Sequence, residues 1–94
     1  MAMLSINIKD SCPVRAECDG ARLHVTLADG RALSAPLWWY PRLLKAESAD
    51  RNIIELMPMG LHWPKLDEDI SIASILRGEK APGAAAGRAG ERKI

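Results

Sequence analysis

Phenylalanine is missing from this chain of 94 residues, and three tryptophans and one tyrosine are its only aromatics. Leu, Ile, Val and Ala must therefore fill most of any interior, with Trp38, Trp39 and Trp63 as its few large pieces. Net charge is also scarce: a formal +1 supplies no overall field to steer the protein onto nucleic acid or an anionic membrane, so any partner must be chosen by local features. No apolar run approaches the ~18 residues of a membrane span, and the first residues lack the basic start and apolar stretch of a secretory signal. Cysteine is limited to Cys12 and Cys18. Six residues of extended chain separate them by roughly 20 Å, too far for a disulfide between them. These features together imply a reduced, cytoplasmic setting and no membrane contact.

At this length one domain with one thin core is the expectation. Val14, Ala16 and Cys18 alternate with Arg15 and Glu17; Leu23, Val25 and Leu27 alternate with Arg22, His24 and Thr26. With Asp19-Gly20 between them, this is a hairpin pattern. A two-residue turn pairs Ala16 with Leu23 and Val14 with Val25, apolar against apolar. At the next turn a two-residue loop would set Val25 against Ser34. A three-residue loop, Ala28-Asp29-Gly30, instead sets Val25 against Leu33 and Leu23 against Ala35, which predicts a left-handed Gly30. The third strand then runs from about Arg31 to Leu37 and stops in the Pro36 to Pro41 stretch.

Pro41 suits a first helical position, Arg42 to Glu47 are good helix formers, and Ser48 caps a further short turn. Ile53 to Met57 and Leu61 to Trp63 read as a second hairpin around Pro58-Met59-Gly60. Ser71 and Gly78 bound a final helix, with Ile72, Ile75 and Leu76 on its apolar face. Residues 79–94, small and polar with four Lys/Arg against two Asp/Glu, read as a disordered basic tail. Residues 1–11 form an N-terminal segment in which Leu4, Ile6 and Ile8 alternate as in a short strand. The fold class is thus α+β: a three-stranded antiparallel meander, a short connecting helix, a second hairpin and a capped C-terminal helix, all within residues 12–78.

The pieces Leu27-Ala28-Asp29-Gly30-Arg31, Pro36-Leu37, Trp39-Tyr40-Pro41-Arg42-Leu43-Leu44, Leu61-His62-Trp63-Pro64 and Leu66-Asp67-Glu68-Asp69-Ile70-Ser71, in this order, resemble the bacterial domain of unknown function 2442 family. The resemblance covers roughly residues 14 to 78. It implies a small α+β domain encoded beside a small companion protein, in some chains fused to a helix-turn-helix domain, and a regulatory or antitoxin-like role. It implies no catalytic residues.

The residues themselves point the same way. No nucleophile-base unit, phosphate loop or paired-carboxylate motif is recognisable, so the expectation is that the protein is not an enzyme and uses no cofactor or metal. A metal-dependent enzyme built on His62 and the Asp67-Glu68-Asp69 triplet is the least favoured alternative, because carboxylates beside a helix start also have a plain electrostatic explanation. Nucleic-acid binding through Arg15, Arg22, Arg31 and Arg42 is the nearer alternative, offset by Glu17 on the same face. The favoured reading is a protein-protein interaction module. Tryptophan, tyrosine and arginine dominate interface energetics, so Trp38, Tyr40, Arg42, Arg15 and Arg22 are its candidate contact residues. Trp39 and Trp63 are assigned to the core. A small companion protein or a second copy of the chain would be the partner, and open sheet edges give it a further route.

Overall fold

The computed structural model describes residues 11–84; the strand expected over Leu4 to Ile8 lies outside them. The first sheet is an antiparallel meander of β1 (Pro13–Cys18), β2 (Arg22–Leu27) and β3 (Ala32–Pro36). Its inward face carries Leu23, Val25, Leu27 and Ala35, all buried, while Arg15, Glu17 and Arg22 stand in solvent. This is the period-two alternation of a sheet covered on one side.

The two turns of this meander differ instructively. Gly30 has φ +94°, Leu23 pairs with Ala35 and Val25 with Leu33, as the three-residue loop requires. The Leu27 N–H donates to the Arg31 carbonyl at 2.8 Å across that loop. Between β1 and β2 the register departs from expectation: Ala16 faces Val25 and Cys18 faces Leu23, a shift of two residues. The cause is Asp19. Its Oδ1 accepts the N–H groups of Ala21 and Arg22 at 2.8 and 2.7 Å, and its own N–H donates to the Arg22 carbonyl at 3.0 Å. A four-residue turn closed by an aspartate side chain replaces the two-residue turn. A shift of two keeps every apolar residue on its face, so alternation alone cannot distinguish the registers. A bulge at Val14 between Pro13 and Arg15 then turns that side chain outward, 53% exposed.

After a 3-10 turn at Leu37–Trp39 come α1 (Pro41–Lys45), with Pro41 at its first position, and α2 (Ser48–Arg51). Glu47, not Ser48, is the N-cap residue of α2, and no side chain caps it. The carbonyls at the end of α1 need donors, and Arg51 supplies them: Nε reaches the Leu43 oxygen at 2.8 Å and Nη2 reaches Leu44 and Ala46 at 3.2 and 2.6 Å. The Arg51 carbonyl in turn accepts the Trp63 indole N–H at 2.8 Å. One arginine thus ties the short helices to the largest core side chain.

The second sheet has three strands, β4 (Glu55–Met57), β5 (Gly60–Trp63) and β6 (Glu68–Ser71), where a hairpin alone was expected. The acidic triplet is therefore not a loop leading into a helix. Glu68 and Asp69 lie in β6, paired with Trp63 and His62. β4 begins at Glu55, and Met57 faces Gly60 across a two-residue Pro58-Met59 loop. The final helix α3 (Ile72–Arg77) has the expected caps: the Ser71 hydroxyl accepts the Ser74 N–H at 3.0 Å, and Gly78 is left-handed at φ +75°. Ile72 and Ile75 enter the core, but Leu76 is 46% exposed rather than buried.

Core residues from both sheets, α1 and α3 form one cluster around the fully buried Trp63, with Trp39 packed partly against it. The packed chain continues past Gly78. The Ala81 N–H donates to the Trp39 carbonyl at 2.9 Å, and the Lys80 ammonium lies 4.7 Å from the Trp39 ring centroid. Residues 85–94 of the expected tail lie outside the described residues.

Candidate functional site

The five residues expected to meet a partner are not gathered into one surface. Arg15 and Arg22 are exposed on the outer face of the first sheet. Arg15 lies 3.6 Å from Glu17, and Arg22 donates through Nε to the Ser34 hydroxyl at 2.7 Å. Trp38 is half-buried, its ring edge-on to Trp39 with centroids 6.4 Å apart. Tyr40 corrects the expectation outright. It is 3% exposed and belongs to the core cluster with Leu43, at the junction between the 3-10 turn and α1.

Among the described residues several arginines have a carboxylate beside them, and Arg22 does not. Arg31 pairs with Asp29 at 2.7 Å, Arg77 with Glu79 at 2.7 Å, and Arg15 with Glu17. Arg51 is spent on helix carbonyls.

Cys18 faces Leu23 across the β1/β2 pair, whereas His24 faces Glu17. Cys18 is half-buried, and burial is the main force that pushes its thiol up to about 11. His24 instead meets Asp19, Nε2 to Oδ2 2.8 Å; that contact, with two backbone N–H groups, lowers the Asp19 carboxyl to about 2. His62 meets Asp69 across the β5/β6 pair at 2.6 Å, and this hydrogen bond raises the imidazole above its ordinary value. The triplet does not act as one donor set, since Glu68 lies on the opposite face of β6 from Asp69. Among the described residues no three His, Cys, Asp or Glu side chains are grouped as metal ligands.

Two arrangements were not foreseen. The first joins motif segments remote in sequence. The Arg42 guanidinium donates to the carbonyls of Asp67 (2.8 Å) and Leu66 (3.4 Å), and its Nε lies 3.9 Å from Glu68. Asp67 has φ +53°, a left-handed conformation that strains a residue with a side chain, and Arg42 fastens this turn to α1. Glu68 is only 15% exposed at its side chain, and burial raises its carboxyl. Tyr40 is beside it: burial first, then the Glu68 charge, pushes the phenol up to about 12.

The second arrangement is apolar and exposed. Leu56, Met57 and Met59 of the second hairpin are 45%, 46% and 60% exposed, and Leu76 of α3 is similarly open. Met59 separates two shallow grooves. One, about 200 Å³, is walled by Pro58, Met59, Ile72, Ala73 and Leu76 with Ser11 at its edge; the other, about 220 Å³, runs from Met57 to Ile70. The Met59 carbonyl accepts the Ile72 N–H at 2.9 Å, so the hairpin tip is fixed to the start of α3. Exposed methionines on a fixed tip are adaptable apolar contacts. Sequence reading assigned Leu76 to the core and saw only a turn at Pro58-Met59, so this surface had no signal beyond the two methionines flanking a proline.

Fold and site together define a small α+β domain of two antiparallel meanders closed by a capped helix, with an exposed apolar tip. No described helix is long and apolar enough to cross a membrane. The chain belongs to the family described as protein of unknown function (DUF2442), whose model matches residues 13–81. No functionally curated protein matches it. It is similar to the crystal structure of a protein of unknown function from Rhodospirillum rubrum ATCC 11170, at 27% identity and TM-score 0.68, over 78% of this chain and 93% of that one.

Proposed function

We propose that the domain is a non-enzymatic interaction module, the regulatory and antitoxin-like member of a bacterial two-protein pair, that holds a small companion protein on the tip of its second hairpin. The observation that carries this reading is the exposed apolar side chains of Met57, Met59 and Leu76, which line the two grooves that meet at Met59. Three large apolar side chains open to water around two adjoining grooves of so small a domain are a surface suited to being covered by a partner. The expected partner presents an apolar helix or strand to the grooves beside Met59. Nucleic-acid binding is less favoured because Arg15 and Arg31 have carboxylates beside them, although Arg22, among the described residues, does not.

The test is quantitative capture of companion protein by the tagged chain, with and without nuclease, against Met59→Glu and a distant control, Lys45→Glu. Stoichiometric, nuclease-resistant capture that Met59→Glu abolishes and Lys45→Glu spares supports the reading. Capture indifferent to Met59→Glu, or lost with nuclease, rejects it. A concentration-dependent mass that doubles in the wild type and not in Met59→Glu would instead make the partner a second copy.

A further inference from the structure

A cavity of about 300 Å³ lies between β6, α3 and the strap 79–82, lined by Tyr40, Glu68, Asp69, Ser74, Glu79 and Lys80 among others. Its polar groups are unevenly spent. Asp69 is engaged with His62 and Glu79 with Arg77, while Lys80 lies over the Trp39 ring and donates to the Gly78 carbonyl at 3.3 Å. The Ser74 hydroxyl is taken by the Ser71 carbonyl at 2.8 Å. Two groups are left over. The Tyr40 hydroxyl, in a side chain almost wholly buried, has no hydrogen-bond partner among the described residues. The Glu68 carboxylate, mostly withdrawn from water, has only the loose 3.9 Å approach of Arg42, whose other nitrogen serves backbone carbonyls. A buried phenol without a partner costs on the order of 1–3 kcal/mol, and a carboxylate shielded from water wants N–H donors.

We propose that this cavity is a binding site for a small organic cation carrying a primary ammonium or guanidinium group. Its N–H groups donate to Glu68, and the Tyr40 oxygen, otherwise idle, accepts another. The capacity left over in the lining is the Glu68 carboxylate and the Tyr40 hydroxyl, while its one lysine is engaged over the Trp39 ring. Anions and neutral acceptors are thereby disfavoured. The proposal is independent of the apolar tip, which is built from other residues.

The experiment is a titration of the ¹⁵N-labelled full chain with n-butylammonium and with Nα-acetyl-lysine methylamide, using tetramethylammonium as a cation without N–H donors. Saturable shifts at Tyr40, Glu68, Ser74 and Ala81 with n-butylammonium, absent with tetramethylammonium, are expected. Response to the lysine derivative as well would make the natural ligand a protein side chain; response to n-butylammonium alone would make it a free amine. Glu68→Gln, which keeps the size of the side chain, should weaken binding at least tenfold, and Tyr40→Phe several-fold with the spectrum otherwise retained. No saturable shift, an equal response to tetramethylammonium, or undiminished binding in both folded variants overturns the assignment.

Discussion

Replacing Gly60 by alanine should damage this protein far more than replacing Gly20, although neither glycine is in the left-handed region. A Cβ on Gly60 would stand 2.6 Å from the Ile70 carbonyl oxygen and 3.0 Å from the Ser71 Cα, whereas one on Gly20 meets nothing within 4 Å. Both obstacles are backbone atoms of the neighbouring strand, so no side chain can swing aside. β5 must move away from β6, and β6 carries Ile70 of the core and leads straight into Ile72. Overpacking a tight site typically costs about 1–3 kcal/mol, and a clash with backbone belongs at the upper end. A domain this small holds roughly 5–10 kcal/mol in total, and urea unfolding at about 1 kcal/mol per M converts the loss to a midpoint lower by about 2–3 M. Gly20→Ala should leave the midpoint unchanged or raise it slightly, by restricting the unfolded chain. Equal midpoints for the two variants would refute the close approach of β5 and β6.

Three further outcomes follow from the same geometry. Ser71→Ala removes the N-cap of α3 and should cost about 1 kcal/mol, read as a lower thermal midpoint that Ser71→Asp restores. The Cys18 thiol, pushed up to about 11 mainly by burial, should react with iodoacetamide at pH 8 far more slowly in the native protein than after unfolding. Equal rates would contradict its placement. His62 titrates higher when folded, so its pairing with Asp69 stabilises fully below the ordinary histidine value near 6.5 and is lost as pH rises through the raised folded value. Asp69→Asn should therefore destabilise more at pH 5.5 than at pH 8.5, and an identical effect at both would refute the pair.

What could be read from the chain followed from local chemistry. Gly30 and the parity of apolar residues determined the second turn, and Ser71 with Gly78 bounded α3, because each depends on a residue with a specific conformational or capping role. The first turn was misread by two residues because Asp19 organises it through its side chain, while alternation is blind to even shifts. β6 escaped because Asp67-Glu68-Asp69 resembles a solvated loop, and only its partner strand reveals why two acids occupy a strand. Tyr40 looked like an interface residue, but it is buried in the core and shares a cavity lining with Glu68, 28 positions along the chain. Arg51, Arg42 and the exposed tip at Met59 are likewise products of tertiary arrangement, invisible to any periodicity.

The central claim is that this domain works through the apolar tip of its second hairpin, and the most direct test compares capture of companion protein by the wild type and by Met59→Glu. The account predicts a stoichiometric, nuclease-resistant partner held by the wild type and lost from the equally folded variant. Retention of the same partner by Met59→Glu would contradict it.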